Sequence, residues 1–167
     1  MPILGRIINE LIERDADKYF TKKVREFKGK IVGTNENSEL YGELHDVNGF
    51  RFLNFKILGP LNVHVYRGCK LYFEGNGQTL EIESDSQEIF SDRSKTLGIG
   101  FTSIDIDLEG VEEKLRTGNF NHLKFQLEKT VIVFNINTPA FIDALDTPVD
   151  PDDTEMGNEN MDPFLQV

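Results

Sequence analysis

Three polar side chains, His64, Tyr72 and Glu81, fall in one cross-strand row if residues 61–83 form a three-stranded antiparallel meander. A histidine held between a phenol and a carboxylate could move protons in general acid–base catalysis. The solvated face of any half-exposed antiparallel sheet shows the same alternation of polar residues. We therefore interpret the row first as a polar surface, and an enzyme that uses these three residues is the weaker alternative.

Alternation of apolar and polar residues predicts the three strands that would hold this row. The first strand covers 61–66, and Asn76-Gly77 predicts a type I′ turn between the second and third strands. A three-residue loop over 67–69 keeps the apolar side chains of the first two strands on one face. The expected pairs are Val65 with Leu71, Val63 with Phe73, Phe73 with Leu80, and Leu71 with Ile82.

A second Asn-Gly pair, Asn48-Gly49, predicts another two-residue hairpin upstream. Its register places apolar residues opposite one another on one face, as burial of that face requires. Phe55 would then cover the gap left by Gly42. The expected apolar-face pairs are Val47–Phe50, Leu44–Leu53, Gly42–Phe55 and Leu40–Ile57, and the other face pairs His45–Phe52, Glu43–Asn54 and Tyr41–Lys56.

Residues 97–108 alternate in two blocks that are out of phase with each other. A β-bulge near Thr102-Ser103 would explain the slip, because one extra residue reverses the faces of a strand. Residues 110–117 favour a short helix, and 139–145 favour a final helical turn.

The last predicted hairpin turns at Glu128-Lys129, which pairs Phe125 with Ile132 and Leu123 with Phe134. Its second strand, 130–136, is apolar on both faces, so a further element must cover its outer side. We expect the N-terminal helix to do so.

Both ends of the chain differ from this β-rich body. Residues 3–20 carry an apolar stripe at helical spacing, which predicts an amphipathic helix that packs on the sheet or contacts a partner. Residues 146–167 hold seven acids, three prolines and no basic residue, which is typical of a disordered tail. We therefore expect an N-terminal helix and connector (1–27), a β-rich globular domain (28–145) and an acidic tail (146–167). The candidate protein-contact residues are Ile3, Leu4, Ile7, Ile8 and Leu11 on the helix and Phe164, Leu165 and Val167 at the tail tip.

Metal and cofactor chemistry finds little support. Asp105, Asp107, Glu109 and Gly110 resemble the start of a calcium loop, but Arg116 occupies the position of its bidentate glutamate. The three histidines lack ligand spacing, and no P-loop, dinucleotide fingerprint or nucleophile elbow occurs. We expect no metal and no cofactor.

The single cysteine, Cys69, excludes an intramolecular disulfide. It falls in a predicted tight turn, where we expect it to be exposed. Position alone supports no reactive role.

Nucleic-acid binding is an alternative because aromatic and basic residues interleave in the body. It predicts that Arg51, Lys56, Arg67 and Lys70 cluster on one face. The tail, with its acidic run and apolar tip, loosely resembles those of bacterial single-stranded DNA-binding proteins, which recruit partners. Residues 1–145 are net negative, however, which opposes phosphate binding.

The segment Asn54-Phe-Lys-Ile-Leu-Gly59, followed by strands, by Gly98-Ile-Gly-Phe101 and by a short helix, resembles a PilZ-type barrel. That family binds cyclic di-GMP through an RxxxR segment and a [D/N]xSxxG segment. Asn54 and Gly59 match the second segment, whereas Lys56 replaces its serine and no RxxxR occurs upstream. The resemblance therefore implies a barrel that lacks the family's usual ligand set.

Composition sets the outer bounds of the interpretation. The chain has 167 residues, a formal charge of −11, thirteen Phe and no Trp, which suggests one domain with a Phe-rich core. The N-terminus does not read as a signal peptide, and no apolar run is long enough to span a membrane. By default this is a soluble protein of the bacterial cytoplasm.

The sequence as a whole predicts a mainly β (α+β) fold. We expect an antiparallel barrel or curved meander sheet of about seven to nine strands, with the helix and tail attached. The function class that we favour is a non-catalytic intracellular binding or adaptor module that acts through protein–protein contacts or self-association. A nucleotide-binding or single-stranded nucleic-acid-binding barrel is the alternative.

Overall fold

The computed structural model describes residues 20, 22–24, 27 and 29–148, which form a mainly β domain. Its strands make one antiparallel sheet, curled into a half-barrel, in the order β4-β7-β8-β3-β2-β1-β10-β9-β5-β6. Ten strands exceed the seven to nine expected. The strands are β1 (Lys30–Thr34), β2 (Glu39–Val47), β3 (Phe50–Gly59), β4 (His64–Val65), β5 (Lys70–Gly75), β6 (Gln78–Glu83), β7 (Ile89–Arg93), β8 (Gly100–Asp107), β9 (His122–Leu127) and β10 (Thr130–Ile136), and the helices are α1 (Glu112–Thr117) and α2 (Thr138–Asp146).

Both Asn-Gly turns form as expected. Asn48 and Gly49 have φ of +55° and +87°, and Asn76 and Gly77 have φ of +54° and +73°. Positive φ at both central residues gives the type I′ turn, whose twist matches that of the flanking strands. Every predicted pair of the first hairpin is present, as are the pairs of the second and the last hairpin.

The predicted three-stranded meander over 61–83 is wrong in its first strand. Residues 61–66 supply only the two-residue β4, which pairs with β7 and sets His64 opposite Phe90. The predicted meander pairs residues 61–66 with one edge of β5. That edge pairs with β9 instead, so Leu71 lies opposite Phe125. Alternation fixes the face on which a side chain lies, but it does not choose the neighbouring strand.

The predicted bulge near Thr102-Ser103 is also wrong. Strand β8 pairs with β3 without a register shift from Gly59–Gly100 to Phe52–Asp107. The alternation of apolar and polar residues over 97–108 changes phase because both faces of the sheet are covered near Phe101. Phe101 is buried on the outer face, whereas Thr102 and Ile104 are buried on or next to the inner one.

The inner face of the half-barrel holds a Phe-rich core, as the composition suggests. Phe55 lies at the centre, with ring centroids 5.7 Å from Phe125 and 6.4 Å from Phe73. Helix α2 covers this core with Phe141, 5.7 Å from Phe73. Each fully buried aromatic side chain stabilises the fold by about 1.5–3 kcal/mol through removal of apolar area from water.

Backbone hydrogen bonds from the segment that follows β6 hold the curl of the sheet. Ser84 N–H donates to the carbonyl of Cys69 at 2.9 Å, and Asp85 N–H donates to that of Asp105 at 2.7 Å. Gly68 N–H donates to the carbonyl of Gln87 at 2.6 Å. Residues 84–88 therefore join the β4–β5 loop to β8 across the opening of the half-barrel.

A second, smaller apolar cluster covers the outer face of β2, β3 and β8. Phe20 and Val24, from a helical segment, are buried there with Tyr41, Leu58 and Phe101. The predicted helix over 3–20 otherwise lies outside the described residues, as does the tail beyond Pro148. On β10, Val131 and Val133 are 48% and 42% exposed, so the expected burial of its outer face is not seen.

Candidate functional site

A cleft of about 550 Å³ opens on the outer face of the sheet, over β2, β3, β8 and β7. Its lining includes Lys23 and Phe27 from the segment before β1, and Ser86 and Glu88 from the segment between β6 and β7. A cleft of this volume is large enough to bury a small molecule or several side chains of a partner.

The strand register orders the floor of the cleft into rows. Glu43, Asn54 and Asp105 lie opposite one another across β2, β3 and β8. Lys56 and Ser103 form the neighbouring row. Because outward-facing residues repeat every second position, these side chains all point away from the core.

Asn54 lies beneath the lining of the cleft and hydrogen-bonds to three side chains of its floor. It is only 5% exposed, and its Nδ2 donates to Ser103 Oγ at 2.7 Å and to Asp105 Oδ1 at 2.8 Å. Its Oδ1 accepts a hydrogen bond from Lys56 Nζ at 2.6 Å. A buried amide without partners would cost about 1–3 kcal/mol, so these bonds hold its orientation firmly.

Lys56 is the half-buried cation of the floor. Its Nζ lies 3.9 Å from Glu43 Oε1 and 4.9 Å from the centre of the Phe27 ring. Burial lowers the pKa of Lys56, and the negative charges of Glu43 and Asp105 oppose that effect. The ammonium group is therefore anchored to the floor by an amide, a carboxylate and an aromatic ring.

His45 stands beside Glu43 at the edge of the cleft, with Nε2 3.3 Å from Glu43 Oε1. The hydrogen bond to Glu43 raises the pKa of His45, although burial works in the opposite direction. Glu43 thus interacts with two basic groups, His45 and Lys56.

The opposite end of the cleft is aromatic. Phe27 and Phe101 contact each other at a centroid distance of 5.7 Å, and Phe90 is a third aromatic residue of the lining. Lys23 Nζ lies 2.6 Å from Asp92 Oδ2, so a compact ion pair borders the rings. The Phe101 end of the cleft is therefore separated from the row of Glu43 and Asp105 by the row of Lys56 and Ser103.

The predicted row of His64, Tyr72 and Glu81 does not come together. Tyr72 and Glu81 are opposite each other as expected, on the outer face of β5 and β6. The third strand beside them is β9, and Lys124 Nζ lies 4.8 Å from the centre of the Tyr72 ring. His64 lies on β4, where Nε2 is 2.7 Å from Glu88 Oε2.

The four basic residues that a nucleic-acid binder would use are distributed over different surfaces. Arg51 and Lys56 are five positions apart on β3, so they lie on opposite faces of the sheet. Arg51 pairs with Glu112 and Asp46, and Lys70 pairs with Glu81 on the far half of the sheet. Arg67 lies in the β4–β5 loop. The single basic face predicted by this alternative is not formed.

The remaining sequence candidates have different outcomes. The protein-contact residues of the helix and of the tail tip all lie outside the described residues. Cys69, expected to be exposed, is instead 7% exposed, and burial raises the pKa of its thiol to about 11. Ser84 Oγ accepts a hydrogen bond from the backbone N–H of Cys69 at 2.9 Å.

Within residues 29–148 and the few described positions before them, no three His, Cys, Asp or Glu side chains come together as metal ligands. Asp105 and Asp107 point outward from β8 rather than from a helix–loop–helix. Neither α1 nor α2, the helices bounded in the described chain, has the length and apolar content needed to cross a membrane.

The sequence predicted the register of two strands beneath the cleft, but not the cleft itself. The Asn48-Gly49 hairpin register already placed Glu43 beside Asn54, and it placed both on the polar face. The contribution of β8 was missed because no local signal pairs β8 with β3, whose residues are about fifty positions away. The wall from residues 84–88 depends on long-range backbone hydrogen bonds, which no pattern in the sequence indicates.

Comparison with known proteins identified no relative: no family model, no curated protein and no solved structure matched the chain.

Proposed function

We propose that this protein is a non-catalytic binding or adaptor module, and that its described domain receives a protein partner at the cleft on β2, β3 and β8. The observation that carries the proposal is the combination of an open cleft of about 550 Å³ with an aromatic wall and a polar floor. Aromatic side chains that surround a recess are typical anchors of protein interfaces.

The polar groups of the cleft are held in fixed positions, which supports a binding role. Asn54, Lys56 and Asp105 hydrogen-bond or interact with one another across the floor. These contacts hold the side chains in place as a preorganised surface, which reduces the entropy lost on association.

A pair of matched variants tests the proposal. Ser103→Trp places an indole in the cleft, and Gln126→Trp places one on the outer face of β9, in the other half of the sheet. Pull-downs from native lysate would compare both variants with the unmodified chain, after circular dichroism has shown the same fold. We expect a partner that is captured by the unmodified chain and by Gln126→Trp and lost with Ser103→Trp.

Equal capture by all three chains would overturn the assignment of the cleft as the binding site. A different result is that the unmodified chain recovers nucleic acid that nuclease removes, while Ser103→Trp recovers none. That result would favour the alternative of a nucleotide-binding or nucleic-acid-binding barrel.

The helix over 3–20 and the tail tip remain proposed contact surfaces of the same module. An apolar tip on an acidic tether can dock in a groove while the tether stays hydrated. A chain that ends at Pro148 tests the tip: loss of a partner that Ser103→Trp retains would assign that partner to the tail.

A further inference from the structure

We propose that the cleft binds a basic segment, in which a lysine or arginine of the partner lies next to an apolar residue. This inference deepens the proposed function and rests on it. It follows from the charge of the cleft, from the state of Asp105 and from an aromatic strip that leads into the cleft.

The lining of the cleft is net negative. It contains four carboxylates and two lysines, which gives a formal charge of −2 when His45 is neutral. Complementary charge selects the partner, and like charge repels it, so this lining favours a cation over a phosphate or a carboxylate. The four carboxylates are those of Glu43, Glu88, Asp92 and Asp105.

Asp105 is the carboxylate best placed to receive that cation. Its Oδ1 accepts a hydrogen bond from the neutral amide of Asn54 at 2.8 Å. Among the ion pairs of the described residues, none joins Asp105 directly to a lysine, arginine or histidine, although its charge acts on Lys56 and His45 from further away. Asp92 and Glu88, in contrast, are contacted by Lys23 and His64. A guanidinium or ammonium group on Asp105 would therefore gain an ion pair without breaking an existing one.

An aromatic strip, defined as Tyr66, His64 and Phe90, extends from the cleft over β4 and β7. The ring of His64 stacks on Tyr66 at 4.5 Å and an interplanar angle of 26°, and it lies 5.8 Å from Phe90. Tyr66 is 64% exposed and Phe90 is 45% exposed. An apolar side chain of a partner that packs on these exposed rings removes apolar surface from water, which favours binding.

The strip and the acidic floor are joined in one surface. Phe90 and Glu88 both line the cleft, and Glu88 holds His64 of the strip at 2.7 Å. A segment lying along this surface places an apolar side chain on Tyr66 and His64, and its neighbouring basic side chain then reaches Asp105. Charge complementarity and the apolar strip together specify a basic–apolar sequence.

Three acetylated and amidated tripeptides test the inference on the full chain: Phe-Arg-Phe, Phe-Gln-Phe and Phe-Glu-Phe. Binding would be measured by titration of backbone amide chemical shifts. We expect Phe-Arg-Phe to shift the amides of Ser103, Asp105 and Phe90, to bind at least fivefold more tightly than Phe-Gln-Phe, and to weaken as salt is raised. Phe-Glu-Phe should bind most weakly.

Asp105→Asn should weaken binding of Phe-Arg-Phe at least fivefold and leave that of Phe-Gln-Phe unchanged, since asparagine can still accept from Asn54. Glu128→Gln, at an exposed position in the turn between β9 and β10, is the matched control and should change neither affinity. Binding of Phe-Glu-Phe as tight as that of Phe-Arg-Phe, or an unchanged affinity in Asp105→Asn, would overturn the inference.

The two proposals fail in distinguishable ways. If Ser103→Trp abolishes capture of a partner but none of the tripeptides binds, the assigned partner chemistry is wrong and the binding role of the cleft stands. If Ser103→Trp leaves capture unchanged, the proposed function itself fails.

Discussion

Arg51 and Glu112 form a bidentate ion pair, with Arg51 Nε donating to Oε1 at 3.0 Å and Nη2 donating to Oε2 at 3.1 Å. Arg116 Nη2 adds a further bond to the same carboxylate at 2.7 Å. Both arginines also donate to the carbonyl of Leu145, at 3.0 and 3.3 Å. Glu112 thus connects β3 with α1, and the arginines extend the connection to the end of α2.

We expect Glu112→Gln to lower the free energy of unfolding by about 1–3 kcal/mol, because it removes a partly buried charge that pairs with two arginines. Urea denaturation would measure the change. Glu113→Gln is the control, since that neighbouring residue is exposed and should change stability by less than about 0.5 kcal/mol. Equal effects of the two substitutions would show that the ion pair does not stabilise the fold.

The same pair predicts a pH dependence. The hydrogen bond from Arg51 holds the pKa of Glu112 below its ordinary value, so the folded state binds this proton less tightly than the unfolded state does. The stabilisation is therefore present above the unfolded pKa of about 4.3 and is lost as pH falls through the folded pKa. The stability difference between the unmodified chain and Glu112→Gln should shrink on acidification below about pH 4. A difference that grows there would contradict this account.

His45 gives a second, opposite dependence. Its hydrogen bond to Glu43 raises the pKa of the imidazole, so protonated His45 stabilises the fold below the unfolded pKa of about 6.5. That contribution is lost as pH rises through the folded pKa. NMR titration should show a lower His45 pKa in Glu43→Gln than in the unmodified chain, and no change in Glu81→Gln on β6. An unchanged pKa in Glu43→Gln would remove Glu43 as its cause.

Gly49 is required because of its backbone conformation, not because a side chain would lack room at this position. Its φ is +87°, yet no heavy atom outside residues 48–50 lies within 4 Å of a Cβ built on it. Gly49→Ala should therefore destabilise the fold by about 1 kcal/mol through strain alone. Asn48→Gly, at a residue with φ of +55°, should be nearly neutral. Thermal unfolding of the two variants would separate the effects, and an equally stable Gly49→Ala would exclude the type I′ turn in solution.

These hairpins also show how far the sequence predicts the fold. Turn chemistry and side-chain period fix local registers, so Leu44–Leu53 and Phe73–Leu80 were predictable pairs. Pairs between distant strands, such as Leu71–Phe125, depend on which edge closes the half-barrel, and alternation carries no information on that choice.

The candidate site shows the same limit. Glu43 and Asn54 share a hairpin and were predictable neighbours, whereas Asp105 comes from β8 and was not. His64 was placed beside Tyr72 because its two-residue strand was assigned to the nearest neighbour in sequence. Short strands carry too few alternating positions to identify their partners.

Cys69 offers a direct test of the β4–β5 loop, because its burial and chemistry depend on the closure by residues 84–88. The thiol is 7% exposed, and burial raises its pKa to about 11. The thiolate is the reactive form, so an aromatic disulfide reagent at neutral pH should react on the order of 100-fold more slowly with the native chain than with the urea-unfolded chain. The control is Lys129→Cys in a Cys69→Ala background, because Lys129 is an exposed turn position. Its thiol should react at similar rates in the native and the unfolded chain. If native Cys69 reacts as fast as that control, the loop is open in solution and the hydrogen bonds that join it to residues 84–88 do not persist.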